Sequence, residues 1–221
     1  MNKNALSLFE NPAPRCPVAL LLDTSSSMSG APINALNEGI LRFFQEIHTD
    51  EVARFSVETT IISFGDGGVR QALPFTATID PVRAPRLRAN GMTPMGGAID
   101  LGLREIHERR KFYKRNGISA FKPWMVVMSD GGPNDNWTGP AEQARRLSDE
   151  NALVFLGVGI GDGVDWDTFN EIMPVNRPPK ALDGIKFKEF FEWLSDSLHQ
   201  VSVSSPSQNV SLPPTNGWEA I

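Results

Sequence analysis

Two short apolar segments that each end on an aspartate constrain the fold of this chain more than any other feature. They are VALLLD at residues 18–23 and WMVVMSD at residues 124–130, and a third apolar run, ALVFLGVGIG, occupies residues 152–161. Continuous apolar runs of this length are typical of strands that are buried on both faces. The sequence therefore predicts a sheet that is covered by other elements on each side.

The segments between these runs have the period of amphipathic helices. Pro32 suits the first turn of one of them, since a first turn does not need its N–H group, and Thr93-Pro94 opens another. Further helices are predicted over residues 139–150 and 165–173. The apolar positions at helical spacing are Ile33, Leu36, Ile40, Phe43 and Ile47; Ile99, Leu103 and Ile106; and Phe187, Phe190, Phe191, Leu194, Leu198 and Val201.

Two more strands complete the pattern. Residues 55–65 are rich in β-branched and aromatic side chains, and residues 69–75 alternate and contain Pro74, which favours an edge strand. Strands that alternate with helices predict an α/β fold with a doubly wound, mostly parallel sheet and helices on both faces. In such a sheet, ligands bind at the carboxyl ends of the strands.

Composition excludes several classes of protein. The 21 basic and 26 acidic residues give a net charge of −5, whereas a general nucleic-acid binder usually carries a basic excess. No apolar run approaches the length of a membrane span, and the first residues lack the pattern of a signal peptide. Cys16 is the single cysteine, which excludes an intramolecular disulfide and a cysteine-based zinc cluster. We expect a cytoplasmic protein without nucleic-acid binding or a membrane span.

The segment directly after the first strand has the pattern D-x-S-x-S. Because alternate residues of an extended segment point the same way, Asp23, Ser25 and Ser27 can present one carboxylate and two hydroxyls on one side. Thr93 and Asp130 follow at other loops that the same sheet edge is expected to present. Oxygen ligands of this kind suit a hard divalent cation such as Mg²⁺. The five residues therefore predict a metal site.

Other interpretations of the same residues stay open. Serines after a strand also cap helices. Asp23 could be a phosphoryl-accepting nucleophile of a metal-dependent phosphatase, although such enzymes have a second aspartate where this chain has Ser25. The sequence lacks the G-x-S-x-G motif of serine hydrolases, and the glycines of residues 157–163 miss the dinucleotide-binding spacing. A metal that only holds three loops together is a further alternative, and we expect no enzyme.

Four segments together resemble one known family. They are PRCPVALLLDTSSSMSGAPINALNEGI, NGMTPMGGAI, NGISAFKPWMVVMSDGGPNDNW and FFEWLSDSLHQVS. Three features are similar to the metal-ion-dependent adhesion site of von Willebrand factor A domains. They are the D-x-S-x-S pattern, the loop that carries Thr93, and the pair Asp130-Gly131. The longer segments resemble the bacterial TerY/YegL type, which is linked to tellurite resistance. Two small departures are Ser26, where the family often has Gly, and Ser129, where it often has Thr.

The resemblance implies a six-stranded, doubly wound sheet with one antiparallel edge strand. It also implies that Mg²⁺, or Mn²⁺ or Ca²⁺ in its place, is held by Asp23, Ser25, Ser27, Thr93 and Asp130. Recognition of a protein partner through a Glu or Asp that completes the metal shell is implied as well. The cellular role would be stress or tellurite-resistance signalling beside phosphatase or kinase proteins.

Residues close to the predicted ligands are candidates for the partner-binding rim. They are Met92, Met95, Asn134, Asp135 and Trp137. Flexible methionines suit adaptable interfaces, and an exposed tryptophan often dominates binding. Met28, by contrast, is expected to pack in the core, and Cys16 is expected to be inert.

The predicted organisation has three parts. Residues 1–16 form a lead-in, residues 17–203 form the von Willebrand A-type domain, and residues 204–221 form a tail. The tail is Ser/Pro-rich, which is typical of disorder. Four apolar side chains favour docking on the domain instead, namely Val210, Leu212, Trp218 and Ile221.

Overall fold

The computed structural model describes residues 11–65, 67–206, 208 and 210–220, so most of the lead-in and Ile221 lie outside the described residues. Six strands form one sheet. They are β1 (Cys16–Thr24), β2 (Val57–Gly65), β3 (Gly68–Ala77), β4 (Trp124–Ser129), β5 (Val154–Ile160) and β6 (Lys180–Leu182). Their spatial order is β3-β2-β1-β4-β5-β6, and β2–β3 is the antiparallel pair in an otherwise parallel sheet. The predicted α/β class is confirmed.

Helices cover both faces of this sheet. They are α1 (Ala31–Thr49), α2 (Ala53–Ser56), α3 (Met95–Arg115), α4 (Thr138–Asp149), α5 (Trp166–Ile172) and α6 (Phe187–Ser202), with a single 3-10 turn at Ser26–Met28. Among the described residues, no helix is long and apolar enough to cross a membrane.

The side chains of β1 divide between two apolar layers. Val18, Leu20 and Leu22 join the layer that α1 and α6 cover, whereas Ala19 and Leu21 join the layer under α3, α4 and α5. All five are fully buried, which explains why the strand is a continuous apolar run. Met28 and Cys16 are also fully buried. The prediction that Met28 packs in the core is therefore confirmed.

The carboxyl ends of β1 and β4 lie side by side at the centre of the sheet. The parallel register pairs Leu22 of β1 with Met128 of β4, so Asp23 and Ser129 follow at adjacent positions. The strand order changes direction between these two strands, and this is the position where doubly wound sheets bind ligands. The fold thus brings the two predicted acidic loops to one place.

The described part of the tail docks on the domain. Trp218 is 2% exposed and packs edge-on against Phe190, with ring centroids 5.0 Å apart. The backbone N–H of Ala220 donates to the carbonyl of Ala181 at 2.9 Å, which extends the sheet beyond β6. The apolar side chains of the tail, rather than its Ser/Pro content, therefore decide its structure. β6 itself is a strand that the sequence pattern did not reveal.

Candidate functional site

Asp23 is a buried carboxylate held by two hydrogen bonds. Its side chain is 1% exposed. The backbone N–H of Ser25 donates to Oδ1 at 2.7 Å, and the Ser129 hydroxyl donates to Oδ2 at 2.5 Å. Both oxygens are therefore fixed in orientation by the loop after β1 and by the last residue of β4.

A chain of hydroxyls connects the same loop to Asp130. The Oγ atoms of Ser25 and Ser27 lie 2.9 Å apart, and the Ser27 hydroxyl donates to Asp130 Oδ1 at 2.8 Å. Ser25 is buried and Ser27 is exposed, so this chain runs from the interior to the surface. The structure thus brings four of the five predicted ligands, from two loops about a hundred residues apart in the chain, into one cluster.

The loop that carries Thr93 packs against both other loops. The N–H of Ser26 donates to the Gly91 carbonyl at 3.0 Å, and the N–H of Asn134 donates to the Thr93 carbonyl at 3.1 Å. Thr93 is half-buried, and within the described part of the chain its hydroxyl has no hydrogen-bond partner. This side chain is therefore free to accept or donate toward a ligand.

Charge at this cluster is negative and uncompensated. Burial raises the pKa of Asp23 to about 6, the hydrogen bonds from Ser129 and Ser25 oppose that rise, and the charge of Asp130 adds to it. No lysine or arginine among the described residues forms an ion pair with either aspartate. A cation placed here would offset the desolvation of the buried Asp23 carboxylate and its repulsion by Asp130.

The donor set fits a hard cation. Carboxylate and hydroxyl oxygens are what Mg²⁺ accepts, and Mg²⁺ commonly keeps several waters beside one or two carboxylates. The described residues contain no group of three or more His, Cys, Asp or Glu side chains that could hold a metal. Any cation at this cluster therefore depends on its three hydroxyls as well as on Asp23 and Asp130.

The rim residues differ in what they can contact. Met92 is 64% exposed and Asn134 is exposed, whereas Trp137 is partly buried against the apolar layer under α3. Met95 is fully buried, so its assignment to the rim was wrong. It is the first residue of α3 and turns inward, on the same side as the buried Ala98 and Ile99.

Asp135 has a structural role in addition to its position near the rim. Its two carboxylate oxygens accept the N–H groups of Gly96 at 2.8 Å and Gly97 at 2.7 Å. These are first-turn donors of α3 that have no partner within the helix. The helix dipole also stabilises a negative charge at this end of the helix. Asp135 thus fixes the loop after β4 onto the helix that follows Thr93.

Sequence reasoning missed the importance of Ser129. In the sequence it is only a small departure from the threonine that the family often has, yet its hydroxyl holds one oxygen of Asp23. No sequence signal marks it, because the parallel register that places Ser129 beside Asp23 exists only in the assembled sheet.

Comparison with known proteins identifies the fold. The model of the family "von Willebrand factor type A domain" matches residues 18–200. No curated protein sequence matches the chain significantly.

Several solved structures share the architecture. The pilus adhesin SpaC from Lactobacillus rhamnosus GG is 13% identical with a TM-score of 0.66, and the match covers 86% of this chain and 30% of that chain. The vWF domain of the type V pili tip protein Mfa5 from Porphyromonas gingivalis is 12% identical with a TM-score of 0.59, with coverage of 89% and 99%.

A third structure is described as having a zinc-occupied MIDAS motif. It is proximal thread matrix protein 1 from the mussel byssus, which is 14% identical with a TM-score of 0.57, and the match covers 84% of this chain and 46% of that chain. This chain therefore corresponds to about half of the mussel protein and to less than a third of SpaC.

Identities this low establish the fold alone, but the family match covers most of the chain. Domains of this family typically mediate metal-dependent protein interactions and are generally not enzymes. With its six-stranded sheet and with residues 18–200 matched, the chain belongs to the von Willebrand factor type A domain family.

Proposed function

We propose that this protein is a metal-dependent module for recognising another protein. Asp23, Ser25, Ser27, Thr93 and Asp130 would hold Mg²⁺, or Mn²⁺ or Ca²⁺ in its place. The observation that carries the proposal is the continuous hydrogen-bonded cluster that joins Ser25, Ser27 and Asp130 beside the buried Asp23.

The proposed ligand set explains why an acidic partner would be recognised. Three of the five groups are neutral hydroxyls, so a divalent cation bound here keeps much of its charge when the carboxylates act partly through water. It then attracts an anionic ligand, most simply a Glu or Asp side chain of a partner protein. Binding of that partner would require the metal.

A basic groove beside the loops supports the choice of an acidic partner. It has a volume of about 380 Å³ and is lined by Ser29 and Gly30, which follow the serine loop, and by Arg86 and Arg88, which precede the threonine loop. Both arginines are exposed, and neither forms an ion pair with a described acidic residue. A second acidic group of the partner could bind there.

The phosphatase alternative has less support. A phosphatase that used Asp23 as its nucleophile would need a second carboxylate as general acid two positions later. The position of the usual second aspartate is held by Ser25. We therefore favour an interaction module over an enzyme.

The cellular setting is part of the same proposal. Similarity to the TerY/YegL type supports a cytoplasmic role in stress or tellurite-resistance signalling, with phosphatase or kinase proteins as partners. The support comes from the sequence segments quoted above, which extend from the first strand to the last helix.

Metal-dependent capture of a partner tests the proposal. Immobilised wild-type protein is incubated with a lysate of the source organism in Mg²⁺, washed, and eluted with EDTA. We expect proteins that elute with EDTA from the wild type and that Asp23→Ala does not retain. Asp80→Asn removes an exposed carboxylate just after the end of β3, which pairs with the start of β2 at the edge of the sheet opposite to Asp23. It is the matched control and should behave like the wild type.

Two outcomes would contradict the proposal in different ways. Retention that EDTA leaves unchanged would mean that recognition does not use the metal. Thermal stabilisation by Mg²⁺ without any metal-dependent capture would support the alternative in which the metal only holds the three loops together.

A further inference from the structure

A second cavity lies at the end of the sheet opposite to the metal-site loops. Its volume is about 800 Å³, and it is lined by Trp124 and Val154, the first residues of β4 and β5. Asp130 follows the last residue of β4. At about 3.3 Å per residue Trp124 and Asp130 are roughly 20 Å apart, so the cavity is separate from the candidate metal site.

Among the described residues, four basic side chains and no acidic one line this cavity. Arg110 and Lys114 belong to α3, Lys122 precedes β4, and Arg177 lies in the loop before β6. The chain as a whole has a net charge of −5. The cavity is therefore a local reversal of the overall charge, built from distant parts of the chain.

None of these four side chains forms an ion pair within the described part of the chain. Lys122 donates to the neutral amide of Asn151. Elsewhere on α3, Arg104 pairs with Asp100 at 3.1 Å and Lys111 pairs with Glu108 at 2.8 Å. Arg104 and Lys111 are therefore paired away from the cavity, whereas Arg110 and Lys114 line it without an ion pair.

Two of the cations repel each other in a partly desolvated place. Burial lowers the pKa of Arg177, and burial together with the positive charge of Arg177 lowers the pKa of Lys122. Both side chains are half-buried. An anion between them would offset the desolvation cost and the repulsion at once.

Apolar side chains share the rest of the wall with the polar Asn151, Ser204 and Gln208. The apolar ones come from the connection between α3 and β4, from the end of α6, and from the docked tail: Ile118, Phe121, Val201, Val210 and Leu212. A cavity of about 300–1,000 Å³ has the size of a small-molecule site, and this one combines apolar surface with cationic and neutral polar groups. We propose that this cavity binds a small organic anion in which a carboxylate or phosphate group is joined to an apolar body.

A matched pair of fluorescent probes tests this. Anilinonaphthalene sulfonate carries an anionic group on an apolar body, and N-phenylnaphthylamine is the same body without the charge. We expect the wild type to bind the sulfonate about tenfold more tightly than the neutral probe, since the sulfonate adds charge-assisted hydrogen bonds to the apolar contacts that both probes make. The double variant Lys122→Gln, Arg177→Gln should lose this preference and keep its affinity for the neutral probe.

The control removes the same charge elsewhere on the surface. Arg104→Gln with Lys111→Gln lies on α3 outside the cavity and should leave both affinities unchanged. Equal binding of the two probes by the wild type, or an equal loss in this control, would overturn the proposal. Arg110→Gln with Lys114→Gln, at two exposed positions, provides a second cavity variant that should fold normally and should also weaken the sulfonate.

Displacement identifies the anionic group. Octyl phosphate and octanoate are titrated against the bound sulfonate probe, with octanol as the uncharged control. Displacement by octyl phosphate alone assigns a phosphate ligand, and displacement by octanoate alone assigns a carboxylate. Displacement by neither, or equally by octanol, would show that the cavity does not select anions.

Discussion

Replacing Asp23 by Asn removes a buried negative charge while keeping the shape of the side chain. Burial raises the pKa of this carboxyl from 3.8 to about 6. A pKa shift of one unit corresponds to about 1.36 kcal/mol. The ionised carboxylate therefore lowers the unfolding free energy of the metal-free protein by roughly 3 kcal/mol at pH 7. The amide group of Asn cannot accept both present hydrogen bonds, which reduces the expected gain in unfolding free energy to about 2 kcal/mol.

The dependence on pH has a definite sign. Because the folded state holds the Asp23 proton more tightly than the unfolded state, the metal-free wild type gains stability as the pH falls through about 6 toward 4. Asp23→Asn lacks this group and should lose that contribution. Bound Mg²⁺ competes with the proton, so the stabilisation by Mg²⁺ should weaken over the same pH range.

Thermal melting of metal-stripped protein measures both effects. At pH 7 the variant should melt about 4–8 °C above the wild type, and the order should reverse in excess Mg²⁺, which stabilises the wild type alone. Asp80→Asn removes an exposed carboxylate and should change neither value. A variant that melts below the metal-free wild type at pH 7, or that still responds to Mg²⁺, would refute this reasoning.

Three further substitutions and one control substitution test the support of the site and the tail. Ser129→Ala removes a hydrogen bond to Asp23 and should weaken Mg²⁺ binding about tenfold in calorimetric titration; an unchanged affinity would exclude an orienting role. Gly96→Ala would place a Cβ 2.5 Å from a backbone carbonyl of the loop before α4, so it should lower the unfolding free energy by about 2–4 kcal/mol in urea. Gly139→Ala, which meets open space, should have little effect, and equal losses would contradict the packing argument. Trp218→Ala should detach the tail and speed proteolysis within residues 204–216 while the response to Mg²⁺ stays intact; a protected tail would show that Trp218 does not hold it.

Much of the fold follows from local patterns. β1, β4 and β5 are buried on both faces, so nearly every residue in them is apolar and the strands are visible in the sequence. The long helices α1, α3 and α6 each bury one face, which produces their 3.6-residue period. β6 has three residues and is a strand because β5 and the tail pair with it, so no local pattern marks it.

The error over Met95 has a similar physical origin. Its nearness to Thr93 in sequence favoured a surface position, but α3 begins at Met95 and its first turn faces the core. Side-chain direction in a helix depends on rotation about the axis, which the buried Ala98 and Ile99 could have indicated. The role of Asp135 could not be predicted in this way, since it depends on the contact between two separate loops.

By itself the sequence determined most of the strands and helices and showed that Asp23 and Asp130 follow two central strands, because the apolar pattern of each long element appears in neighbouring residues. Tertiary structure alone decided that Ser129 holds Asp23, that the tail docks through Trp218, and that four unpaired cations face one cavity. These features join residues far apart in the chain. Their energies depend on distances and burial that exist only after the sheet has assembled.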